Sequence, residues 1–185
     1  MSDNVKLGNP APLGLLGFGM TTLLLNFHNA GFFPVNSMIL GMGLFVGGIA
    51  QVFAGVYEWK MGNTFGTAAF TLYGFFWLSF VAMVLLPENC GAEATDPLAK
   101  GLYLAIWGVF TLCMFIATLK MTNVHKLIFG SLALLFFLLA IGDISGIHTI
   151  IRVAGWVGIV CGASAFYGAI AQILNEVYGK TFLPM

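Results

Sequence analysis

The chain has 185 residues, of which 59% are hydrophobic and 8% charged, with seven basic and seven acidic side chains. A soluble domain carries about 25% charge, so this composition excludes a water-soluble globule and indicates an all-α integral membrane protein solvated by membrane lipid. The formal net charge of zero leaves no basic footprint for nucleic acid, and the length suits a single domain over residues 1–185.

A helix needs about 20 mostly apolar residues to cross a bilayer, and six stretches qualify. The first runs from about Pro10 to Ala30 and opens as "NPAPLGLLGFGMTT". Asn9 suits a helix cap, and Pro10 and Pro12 fall in the first turn, where a missing N–H costs nothing. Free N–H groups and the positive dipole end, over Asn9, Pro10, Ala11, Pro12 and Leu13, would favour an anion; a plain helix start is the alternative. Gly14 and Gly17 leave room for a close neighbour or a solute. Thr21, Thr22 and Asn26 are polar groups expected to face a bundle interior or watery cavity. Only Lys6 precedes the segment and no clear cleavage site follows, so it is expected to be retained as a span.

The second stretch runs from Asn36 to Tyr57. Gly41, Gly48 and Gly55 form a seven-residue ladder on it, and Gly43 and Gly47 are a small-xxx-small pair, as are Gly62 and Gly66, and Gly158 and Gly162. Such spacing lets helix backbones approach closely, within a protomer or between subunits. Gln51 and Glu58, seven apart, share a face; so do Gln172 and Glu176, four apart on the sixth stretch. The two acids lie near helix ends, where a solvated or snorkelling carboxylate is expected, with a proton relay as the alternative. The glutamines lie deeper and suit helix-to-helix hydrogen bonding or pore lining.

The third stretch, Asn63 to Leu86, contains "LYGFFWLSF" and aligns Phe70, Tyr73, Trp77 and Phe80 on one face. Trp59 before it suits an interfacial belt. The fourth runs from Leu98 to Leu119, the fifth, a short one, from Val124 to Ile141, and the sixth from His148 to Tyr178. Between them lie "GFFPVN", "EWKMGN", "PENCGAEATDP", "KMTNVHK" and "GDISGIH", each rich in charge, Gly, Pro or Asn. "IAQVFAGVY" from Ile49 is echoed by "IAQILNEVY" from Ile170; the two helices cross in the same direction, so the echo reads as a shared packing role and not an inverted repeat.

Six crossings put both termini on one side, with Lys6, Lys60, Lys120, Lys126 and Lys180, and leave Lys100 and Arg152 on the other. The positive-inside rule makes the terminal side cytoplasmic. Cys113 and Cys161 lie in apolar stretches and Cys90 in a loop, which gives no disulfide framework. His28, His125 and His148 sit near helix ends on different loops, with no metal-ligand spacing, and His125 is expected to be a solvated loop residue. No catalytic constellation or phosphate-binding loop occurs, so neither enzyme activity nor a metal or cofactor is expected.

"NPAPLGL" resembles the N-terminal signature of the acetate uptake transporter family, and the length, six helices and short loops extend the resemblance over the whole chain. It implies transport of acetate and succinate across the bacterial inner membrane by a homohexamer, with one pathway through each six-helix protomer. It also implies a hydrophobic constriction of Phe, Leu and Tyr, which by motif position are Phe18, Leu132 and Tyr73. Phe18 shares a helix face with Gly14 and Thr21, and an apolar collar can exclude water and ions by dewetting. Backbone N–H groups from Asn9 to Leu13, with Thr21, Thr22, Gln51 and Gln172, are the candidate polar handles along the path. With no Lys or Arg in mid-membrane, binding would be weak, and protonation of the substrate itself would ease its crossing of a dry neck. A proton-coupled symporter, an anion channel on the same path, and a non-transporting sensor or scaffold all remain open.

Overall fold

The computed structural model describes residues 7–185; Lys6, counted above in the charge balance, lies outside the described residues. Among the described residues six helices cross back and forth: α1 (Ala11–Asn29), α2 (Ser37–Lys60), α3 (Thr64–Cys90), α4 (Pro97–Thr118), α5 (Asn123–Ser145) and α6 (His148–Tyr178). Side chains of the N-cap residues satisfy orphan N–H groups at the starts of α2, α3, α4 and α5. Asn36 accepts from Met38 and Ile39, Asn63 from Gly66, Asp96 from Leu98 and Ala99, and Thr122 from His125. Helix α5 passes the expected end at Ile141 and stops at Ser145, and Asp143 in its last turn is paired with Lys100 of α4 at 3.2 Å. Helix α3 likewise passes the expected end at Leu86, through Pro87, and stops at Gly91, whose positive φ of 67° only glycine adopts freely.

Five of these helices are long and apolar enough to span a membrane; the set omits α1. The reason lies in its surroundings. Thr21, Thr22 and Asn26 of α1 are all buried, and the helix is flanked by α2 and α6, the two helices of the sequence echo. A methyl group at Gly17 would meet the Val46 carbonyl of α2 at 2.7 Å, and one at Gly19 would meet the Phe166 amide of α6 at 2.8 Å. Helix α1 therefore faces protein where the others face lipid, and polar residues are tolerated there.

Within α2, residues Met42–Ala50 form a π-helical segment. Its wider turn leaves carbonyls less well matched, and Thr21 Oγ1 donates to the Met42 carbonyl at 3.4 Å. Glycines Gly43, Gly47 and Gly48 are buried along this segment, which seats it against α1 and α3.

Backbone contact follows the series α3–α2–α1–α6–α5–α4. Glycine sits at these joints: Gly55 against Thr71, Gly162 against Gly19 and Leu23, Gly168 against Val124, and Gly108 against Phe137. Close approach through glycine is how helices associate where lipid supplies no hydrophobic drive. The two ends of the series, α3 and α4, face each other across a wider space filled by large side chains, and that space holds the candidate site.

Candidate transport pathway

Tyr73 of α3 stands at the centre of an aromatic layer. Its ring lies 5.9 Å from that of Phe18, 5.4 Å from Phe110, 6.0 Å from Trp107 and 6.1 Å from Phe129, all tilted. One turn further, Phe76 lies 5.2 Å from Phe136, 5.3 Å from Trp107 and 5.8 Å from Tyr103. Four helices thus contribute rings to one plug, and such tilted pairs favour a fixed arrangement. The single polar atom of Tyr73 is bonded: its Oη lies 2.8 Å from Thr111 Oγ1. Because Thr111 spends its one hydroxyl proton on the Trp107 carbonyl at 2.7 Å, Tyr73 is the donor.

A cavity reaches this layer from each side. One, of about 60 Å³, ends on Phe18, Tyr73, Phe129 and Leu132, and its polar wall is Gln51, Glu58, Asn63 and His125. The other, of about 820 Å³, ends on Leu25, Phe76, Leu104 and Leu139, and carries His28, Glu88, Lys100, Asp143, His148 and Arg152. Tyr73 and Phe76, floors of the two cavities, are three residues apart, so the layer along α3 is only about 5 Å thick.

The structure brings Phe18, Tyr73, Leu132, Ala11 and Gln51 onto one cavity wall. Asn9, Pro10, Pro12, Leu13, Gly14, Thr21, Thr22 and Gln172 are not on it. Asn9 Nδ2 donates to Gln172 Oε1 at 2.9 Å, tying the start of α1 to α6. Gly14 is backed by the Phe70 ring, and Leu13 faces outward. Thr21 and Thr22 are buried between helices, Thr21 serving the π-helical segment. The start of α1 has no free backbone donor from Pro10 to Leu13. The two prolines carry no N–H, the Ala11 amide donates to Asn9 Oδ1 at 3.1 Å, and the Leu13 amide to the Pro10 carbonyl at 3.1 Å.

Two expectations change. Glu176 is exposed as expected, but Glu58 is only 3% exposed, because the turn after α2 folds Asn63 and Gly66 over it. His125 is not a solvated loop residue: it lies in the first turn of α5, half-buried, with Nδ1 2.7 Å from Thr122 Oγ1, and it lines the smaller cavity. The aromatics of α4 and α5 escaped notice, although Tyr103, Trp107 and Phe110 recur at spacings of four and three, a stripe like that read on α3.

These features define a multi-pass helical membrane protein in which two cavities converge on one closed aromatic layer. Residues 2–183 match the model of the GPR1/FUN34/yaaH family, and the chain belongs to that family, in agreement with the resemblance carried by "NPAPLGL". It is 57% identical to the succinate-acetate/proton symporter SatP of Escherichia coli K12, over 98% of this chain and 97% of that one. It is 38% identical to the glyoxylate pathway regulator of Yarrowia lipolytica, over 92% of this chain and 65% of that one. A solved structure described as the bacterial acetate channel SatP superposes with a TM-score of 0.96 at 57% identity, covering 97% of this chain and 99% of the other.

Proposed function

We propose that the chain carries acetate and succinate across a bacterial inner membrane, coupled to protons, through the two cavities and the layer between them. The observation that carries this reading is the pair of cavities meeting at Tyr73 and Phe76, in a chain 57% identical to a protein named a succinate-acetate/proton symporter. Phe18, Tyr73 and Leu132 form the constriction, and Ala11 and Gln51 the wall leading to it. The unit is a single six-helix domain with both termini cytoplasmic, and it works as a transporter and not as an enzyme. A homohexamer is the assembly, each protomer with its own path; the exposed apolar face of α4, with Ile106 70% exposed, is available to lipid or to a second copy.

Among the described residues no Lys or Arg lines the smaller cavity, so an anion is held weakly there, and a neutral acid crosses the dry layer more cheaply than its anion. A passive anion channel is the second reading, favoured by the description of the solved relative as an acetate channel. Labelled acetate flux into proteoliposomes, above that of protein-free liposomes, decides under separately imposed pH and voltage gradients. One proton with one monocarboxylate is electroneutral, so symport follows the pH gradient and ignores voltage. Flux that follows voltage without proton movement makes the protein a channel. No flux above the lipid background leaves a sensor or scaffold.

A further inference from the structure

We propose that Glu58 is the proton-holding group of the smaller cavity, where its free carboxylate oxygen and the carboxylate of a bound substrate share one proton. The inference rests on the carboxylate-transport reading above and places its proton. Glu58 lies two turns beyond Gln51 on one face of α2, and both line the cavity. Its Oε2 accepts from Asn63 Nδ2 at 2.7 Å, while Oε1 is buried without a partner. The Oε1 of Gln51, a residue 1% exposed, is buried and unpartnered too. Among the described residues no basic group lies within 4 Å of Glu58. Gly66 leaves the carboxylate its space, since a methyl group there would stand 2.7 Å from Glu58 Oε2.

Buried polar atoms in native structures nearly always have partners. Two bare acceptors on one cavity wall therefore call for a donor that the described residues do not provide. A second carboxylate fits only if a proton comes with it, because two like charges in one apolar site cannot both stay ionised. With one proton between them, Glu58 Oε1 gains its donor and the pair titrates as a unit. The proton enters from water as the anion enters and leaves with the acid or returns to water; only O–H bonds are made and broken. Among the described residues the other titratable groups on the wall are His125 of α5 and Tyr73 of α3; α1 contributes none, and Lys60, Lys120 and Lys126 lie outside it. His125 Nδ1 is hydrogen-bonded to Thr122 Oγ1, whereas Glu58 Oε1 has no partner.

Succinate, which crosses lipid slowly, is the probe, and proteoliposomes loaded with a pH-sensitive dye report protons. Glu58→Gln keeps an oxygen for Asn63 Nδ2 but does not titrate. It should cut the protons that enter per succinate about tenfold or more relative to wild type. Glu58→Asp should retain coupling with a displaced pH profile, and His125→Gln should retain it. Wild-type coupling in Glu58→Gln, or its loss in His125→Gln alone, overturns the proposal, as does flux that requires sodium ion in place of the proton. If Glu58→Gln does not reach the membrane, infrared difference spectra of the wild type on adding carbon-13 succinate decide: a change in the protein carboxyl band supports the proposal, and none overturns it. Wild-type protein that moves no carboxylate overturns the transport reading and this one with it; wild-type symport with an unaltered Glu58→Gln overturns this one alone.

Discussion

Thr111 sets the direction of the hydrogen bond at the neck: with its own proton on the Trp107 carbonyl, it can only accept from Tyr73. Tyr73→Phe therefore removes a donor and strands no other. It should cost about 0.5–1.5 kcal/mol, read as a lower melting temperature in detergent, with acetate selectivity unchanged. Tyr73→Ala is different in kind, because four ring contacts go at once. It should open the layer, raising leak or admitting bulkier acids, and Phe18→Ala should do the same from α1. Unchanged rate and selectivity in both would place the constriction elsewhere. Leu132→Val takes one methylene from a buried wall residue, at about 0.5–1.5 kcal/mol by analogy with Ile→Val. Competition between acetate and longer acids should show the shift in selectivity, and its absence would assign the role to a neighbouring leucine.

The elements meet through glycine, and the tightest joint is between α1 and α6. A methyl group at Gly162 would stand 2.8 Å from the Leu23 amide and 2.9 Å from the Gly19 carbonyl, and backbone cannot rotate away as a side chain can. Gly162→Ala should force the helices apart and destabilise the fold by about 1–3 kcal/mol, with a matching fall in melting temperature. Gly41→Ala, where a methyl meets nothing within 4 Å, should be silent. At this scale the amino-acid sequence was informative where local chemistry decides. Apolar runs mark the helices, because in lipid each helix must close its own hydrogen bonds. The π-helical segment Met42–Ala50 was not legible, since the same glycine spacing serves an α-helix and the choice depends on Thr21 and the neighbouring helices. The burial of Glu58 was hidden for a similar reason. On α2 alone it is a terminal acid, and only the turn to Asn63 and Gly66 encloses it. Phe18 and Tyr73 of the aromatic layer stand out in the sequence, but Trp107, Phe110 and Phe129, which pack on Tyr73, lie on helices further along the chain.

For the molecule as a whole, the distribution of charge makes a prediction about orientation that its own cysteines can test. Lys60, Lys120, Lys126 and Lys180 stand at one set of helix ends, and Lys100 and Arg152 at the other, so the first set is predicted to be cytoplasmic. Cys90 closes α3 at the end shared with Lys100 and is exposed. Cys113 is exposed within the apolar span of α4, where it meets lipid and not water, and Cys161 is fully buried. Thiol reagents act on the thiolate, which forms in water and not in hydrocarbon, so Cys90 is the single reactive site. A membrane-impermeant maleimide applied to intact spheroplasts should label one cysteine, and Cys90→Ser should abolish the signal. Labelling that requires permeabilised membranes would turn the molecule over. The larger cavity, with Lys100 and Arg152, would then open to the cytoplasm, and Glu58 would meet its proton from the outside.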